Sequence, residues 1–95
     1  MIKVKNITSL GKYSEIDMDV SWGTRRLRIT NTYEILRGWP AIRLEDDNKG
    51  VQFVMEIKEL NDMLEQGKIR VIKFVEKKIK SLKLKFSFIS LTHNK

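Results

Sequence analysis

Glu15-Ile16-Asp17-Met18-Asp19-Val20-Ser21-Trp22-Gly23-Thr24, followed after Arg25 by Arg26-Leu27-Arg28-Ile29-Thr30-Asn31-Thr32-Tyr33, is the stretch whose reading decides the fold. From Glu15 to Trp22 apolar and polar residues alternate strictly. Ile16, Met18, Val20 and Trp22 fall on one face and Glu15, Asp17, Asp19 and Ser21 on the other, as in a half-buried antiparallel strand. The second run repeats the pattern, with Leu27, Ile29 and Tyr33 inward and Arg26, Arg28, Thr30 and Thr32 outward. Gly23-Thr24 offers a two-residue hairpin loop with glycine at the first central position, which suits a type II′ turn. The hairpin sets acids against arginines, and cross-strand pairs of opposite charge contribute roughly 0.2–1 kcal/mol each. That pairing gives Glu15, Asp17, Asp19, Arg26 and Arg28 a structural role. The alternative, a hard divalent cation held by the three carboxylates, asks more of the sequence.

Working outward, Ile2, Val4 and Ile7 with Lys3 and Lys5 between them suggest a short first strand, closed by Thr8-Ser9-Leu10-Gly11. Past Tyr33, Arg37-Gly38 breaks the chain. Trp39-Pro40 opens a strand through Ala41, Ile42 and Leu44, a position where proline is tolerated. Asp46-Asp47-Asn48-Lys49-Gly50 has strong turn chemistry, and Val51, Phe53 and Met55 alternate as the returning strand. Helical spacing then takes over at Ile57, Leu60 and Leu64, with Gly67 placed to cap the helix. A second helix over 69–82 is expected, with Ile72, Val75, Ile79 and Leu82 on one face and Arg70, Lys73, Lys77 and Lys80 on another. Its many β-branched residues oppose that reading, but as a strand the run has no consistent alternation. Leu82, Leu84, Phe86 and Phe88 alternate with Lys83, Lys85 and Ser87 as a closing strand, and Thr92 to Lys95 frays. The expected architecture is α+β: an antiparallel five-stranded β-meander followed by one or two helices and a C-terminal strand, in a single domain over 1–95.

Composition narrows the chemistry. The chain has no cysteine, which removes disulfides, thiolate metal sites and cysteine nucleophiles. It shows no secretory h-region and no apolar run of membrane-spanning length, so a cytoplasmic location is the default expectation. His93 is the only histidine and stands in the tail. Asp47 with Glu56-Ile57-Lys58 has the residue types of a nuclease acid and E-x-K set, in which two carboxylates bind Mg²⁺ and lysine activates water. Asp47 lies in a polar turn, however, and no helix precedes the sheet. Glycine-rich phosphate loops are also missing. The expectation is a protein that is not an enzyme and uses no cofactor or metal.

The charge is uneven. Residues 1–47 hold 8 Lys/Arg against 7 Asp/Glu and residues 48–95 hold 11 against 5, so the halves carry +1 and +6 of a net +7. Such asymmetry suggests a polyanionic partner. The candidate contact residues are Lys68, Arg70, Lys73, Lys77, Lys78, Lys80, Lys83 and Lys85, whose amines and guanidinium would neutralise phosphates and release counterions. The plain alternative is a solvated basic face that serves solubility. Trp39, beside a turn, and Phe74, near the basic side, are the aromatics placed to stack on bases, whereas Trp22 and Tyr33 read as core.

The strand pattern also resembles the SpoVG septation-regulator family over about residues 1–66. The shared elements are the opening Met1-Ile2-Lys3-Val4, the strand Ile16 to Val20 turning over Trp22-Gly23-Thr24 into Leu27-Arg28-Ile29-Thr30-Asn31, the strand Ala41 to Leu44, the turn at Gly50 and the helix after it. The family's Met-Pro after its fourth strand has no counterpart, since Pro40 precedes that strand. The single-stranded-DNA-binding domain of transcriptional positive cofactor four is similar in outline at Ile42-Arg43, Gly50-Val51 and Ile57 to Leu64. Either resemblance implies a small homodimer that binds nucleic acid. The expected function is thus a non-enzymatic nucleic-acid-binding regulator, DNA- or RNA-directed, contacting phosphates through its basic C-terminal region. The alternative is a protein-interaction module, such as a phage-type inhibitor or an assembly subunit. An amphipathic 69–82 helix lying on an anionic membrane surface is a third reading.

Overall fold

The computed structural model describes residues 2–77. Strands β1 (Glu15–Val20), β2 (Gly23–Leu36), β3 (Trp39–Asp46) and β4 (Val51–Glu56) form a meander, α1 (Ile57–Glu65) follows, and β5 (Ile69–Lys73) returns to the sheet. All neighbours are antiparallel, in the order β4-β3-β2-β1-β5. Among the described residues an α+β architecture with five strands and one helix is therefore observed. The fifth strand is not the expected N-terminal one. Ile2 makes only an isolated bridge to Val71, and Ile7–Ser9 is a 3₁₀ turn.

Alternation explains the two faces. Ile16 and Met18 of β1, Leu27 and Ile29 of β2, Ile42 and Leu44 of β3, and Ile69 and Val71 of β5 are buried together on one face. Leu60 of α1 and Ile7 of the 3₁₀ turn close over them, and Asn61 Oδ1 accepts the Ile7 N–H at 2.7 Å to fix helix to turn. Each fully buried aliphatic side chain contributes about 1.5–3 kcal/mol, so this layer dominates stability. Helix α1 ends as its spacing predicts. Gly67 takes φ 76°, its N–H reaches Leu64 O, and the Lys68 N–H reaches Met63 O.

Two expectations fail for a shared reason: bulges reset the period of two. The ladder between β1 and β5 shifts at Glu15/Ile16, where Lys73 and Val71 are the successive partners and Ile72 is the extra residue. Residues 69–73 are accordingly a strand, not the start of a helix over 69–82, because Ile69 and Val71 alternate into the core before the bulge breaks the pattern. In β2, register shifts between Ile29, Asn31 and Glu34 turn Thr32 in and Tyr33 out, reversing both assignments. Trp22 is not core either. Val20 pairs with Gly23, so Ser21-Trp22 rather than Gly23-Thr24 forms the hairpin loop, and Trp22 is 72% exposed. The second helix beyond Lys77, the closing strand 82–88 and His93 lie outside the described residues.

Candidate functional site

The second face of the sheet carries the charge. In register across it stand Lys73, Glu15, Arg28, Glu45 and Gln52, one from each strand. A neighbouring row holds Arg70, Asp17 and Arg26. Signs alternate along both rows, so much of the face neutralises itself. Arg26 Nε meets Asp17 Oδ1 at 2.5 Å, Arg28 pairs with Glu45 and reaches Asp47 at 3.0 Å, and Arg43 meets Glu34 at 3.1 Å. Arg70 forks onto Asp19 at 2.7 and 3.1 Å, and these hydrogen bonds, with one from Thr24, hold the Asp19 carboxyl down at about 2. Arg25 pairs with Asp46 at the end of the core face, and Arg37 with Glu56 beside the β2–β3 turn. Burial raises the Asp46 pKa, but the Arg25 hydrogen bond and the N–H of Asn48 outweigh it and leave it lowered.

Every arginine of the chain is thereby committed to a carboxylate. The described lysines are not: among the described residues none of Lys3, Lys5, Lys12, Lys49, Lys58, Lys68, Lys73 and Lys77 has an acidic group within 4.0 Å. The acid–arginine pairing read from the hairpin holds at Asp17 and Arg26, while Asp19 and Arg28 find partners on other strands. Asp47 and Glu56 sit at opposite ends of the β3–β4 ladder on different arginines, so the nuclease-like set is not assembled.

Three of the free cations gather. Gly11-Lys12-Tyr13-Ser14 is a β-turn closed by Ser14 N–H to Gly11 O at 3.1 Å. Tyr13 takes φ 75°, an unfavourable conformation for a side chain of its size, and is held there by its N–H on Ile29 O at 2.7 Å and the Ile29 N–H on Ser14 O at 2.8 Å. The ring is 55% exposed, with Lys12 Nζ 5.2 Å from its centroid. Lys12, Tyr13 and Lys73 border an open depression of about 670 Å³ whose floor is Glu15, Arg28, Thr30, Arg43, Glu45 and Gln52.

The chain leaving β5 is then stapled to the same turn. Val75 O accepts from Gly11 N–H at 2.7 Å and from Ser14 Oγ at 3.1 Å, while Val75 N–H donates to Ser14 Oγ at 3.0 Å. Gly11 is required here by space, since a Cβ would stand 2.6 Å from Glu76 O and 2.7 Å from Lys77 Cα. The staple aims Lys77 at Tyr33, with Nζ 4.8 Å from a ring that is 54% exposed.

Of the residues expected to contact phosphates, Lys73 therefore borders the depression together with Lys12 from the other end of the sequence, while Lys77 passes beside Gly11 of the same turn and places its amine over Tyr33. Lys68 and Arg70 stand apart at the Asp19 end of β5, and Arg70 is neutralised. Lys78, Lys80, Lys83 and Lys85 lie outside the described residues. Trp39 and Phe74 are exposed as expected of stacking candidates, but Trp39 belongs to the β2–β3 hairpin, opposite Leu36. Sequence reasoning missed Lys12 and Tyr13, which follow the turn it read at Thr8-Ser9-Leu10-Gly11; nothing local marks them. No family model, no curated protein and no solved structure matches this chain.

Proposed function

We propose that the chain is a non-enzymatic, cytoplasmic nucleic-acid-binding regulator that needs no cofactor. In this reading it holds phosphates with Lys12, Lys73 and Lys77 and stacks a base on Tyr13. The observation that carries the reading is that cations without acidic partners collect beside a half-exposed tyrosine, on a face whose arginines are already spent on carboxylates. Lysines so placed release counterions from a polyanion, while an aromatic ring adds about 1–3 kcal/mol per stacked base. The floor between them alternates donors and acceptors, which suits base edges better than a uniform cationic tract. Lys78, Lys80, Lys83 and Lys85 follow Lys77 in sequence and add to the positive charge of that segment. The pattern-level likeness to the SpoVG family points to the same class of partner.

Fluorescence anisotropy with labelled oligonucleotides tests it. Binding should weaken with salt, and reversing Lys12, Lys73 and Lys77 to glutamate should lower the salt slope by about one for each phosphate no longer neutralised. Lys49→Glu, in the β3–β4 turn, is the control. Affinity unchanged by the triple reversal would refute this site.

The second reading, a protein-interaction module, has its own support in the β2–β3 hairpin. Ile35 and Trp39 flank the Arg37-Gly38 turn at 72% and 62% exposure. Pull-down from nuclease-treated extract separates the two, because a partner bridged by nucleic acid disappears and a direct one stays.

A further inference from the structure

One group in the floor of the depression is uncommitted. Arg28 is turned to Glu45 and Asp47, Arg43 to Glu34, and the Thr30 hydroxyl to Arg43 O at 3.4 Å. Glu15 is the exception. It stands in register between Lys73 of β5 and Arg28 of β2 and is half-buried. Its carboxylate has no cation within 4.0 Å and enters no side-chain hydrogen bond among the described residues. Every other carboxylate carried by the five strands is ion-paired. A patch that only held phosphates would gain nothing from a free carboxylate in its floor, because like charges repel. A patch that read a base would, because an ionised carboxylate accepts hydrogen bonds at both oxygens and donates none.

We infer that the site selects an unpaired guanine, with Glu15 accepting from its N1–H and N2–H groups and the Lys73 ammonium donating to its O6. The inference rests on the nucleic-acid reading above and names the base that the site takes. Guanine alone among the common bases sets two donors side by side on its Watson–Crick edge, with an acceptor next to them. Both carboxylate oxygens are then satisfied. Adenine and cytosine offer one donor there, and thymine or uracil sets its single N3–H between two carbonyls that a carboxylate repels. Neighbouring strands lie about 4.8 Å apart, so the paired residues Glu15 and Lys73 place acceptor and donor within the span of one base edge. Tyr13 borders the same depression, and its exposed ring supplies the stacking surface. Lys73 has three donors, so serving O6 leaves it others for phosphate alongside Lys12.

Fluorescence anisotropy of the full chain, with thymine oligonucleotides carrying one central guanine, inosine, adenine or cytosine, tests the inference. Guanine should bind about tenfold more tightly than adenine or cytosine. Inosine lacks the N2 amine and should lose most of that preference, and annealing a complementary strand should abolish it, because pairing occupies the same edge. Glu15→Gln should remove the guanine preference, with an unchanged circular dichroism spectrum, while binding guanine-free strands at least as tightly as the parent. If Glu15 only balanced nearby cations, the variant would tighten every strand alike and keep the ratio, which would overturn the inference. Guanosine monophosphate should shift the amide resonances of Tyr13, Glu15 and Lys73 where adenosine monophosphate does not. Strands that all bind alike would overturn the guanine site and leave the nucleic-acid reading standing. A response to guanosine monophosphate with no strand bound would support the guanine site and overturn that reading, and no response to either ligand would end both.

Discussion

Ser14→Ala tests the staple that ties the end of β5 to the turn before β1. The Ser14 side chain is fully buried and its hydroxyl works in both directions, donating to Val75 O at 3.1 Å and accepting from Val75 N–H at 3.0 Å. Alanine fits the space but leaves the two backbone groups unequal. The carbonyl keeps the Gly11 N–H at 2.7 Å, so its loss is slight. The Val75 N–H loses its partner, and an unsatisfied donor costs about 1–3 kcal/mol when buried. Val75 is only half-buried, which allows water to recover part of that, so the expected destabilisation is about 1–2 kcal/mol. For a domain of this size each kcal/mol lowers Tm by about 4–8 °C. Thermal melts give the sum, and amide hydrogen exchange gives the place: protection at Val75 should fall far more than at Ile16 or Leu44. A melt within about 1 °C of the parent, with Val75 protection retained, would refute the claim that this hydroxyl holds the segment.

Three further outcomes follow from the same geometry. Leu44→Ala, at a fully buried position in the central layer, should cost about 2–5 kcal/mol in urea unfolding, more than any outer-face substitution. Gly11→Ala should push the chain at Glu76 and Lys77 off the turn and raise exchange at Val75, at a cost of about 1–3 kcal/mol. The Asp19 carboxyl, lowered from 3.8 to about 2 by Arg70 and Thr24, binds its proton more readily unfolded than folded. Its contribution is therefore complete above 3.8 and disappears as pH falls through about 2, so Asp19→Asn should flatten the acid side of the stability profile and an NMR titration of Asp19 should show the low midpoint.

The central hairpin was legible because a sheet with one buried face writes its pattern directly. Ile16, Met18, Leu27 and Ile29 are apolar, and most of their neighbours are charged. The helix was legible for the same reason at a different period, with Gly67 marking its end. What escaped was every place where the period resets. One extra residue at Ile72 made a strand look aperiodic, and the shifts after Ile29 exchanged the faces of Thr32 and Tyr33. The site was harder still, because its residues are brought together by strand order. Ser14 and Val75 are 61 positions apart, and only the placement of β5 beside β1 brings Lys73 and Lys77 to Lys12. The excess of lysine was visible; the separation of labour between lysine and arginine needed coordinates.

That separation has a chemical consequence. Guanidinium groups resist acylation, whereas primary amines accept it readily. Acetyl transfer to the side chains of Lys12, Lys73 and Lys77 would erase their charge while leaving the described ion pairs intact, because no lysine takes part in them. The molecule can thus be discharged without being unfastened.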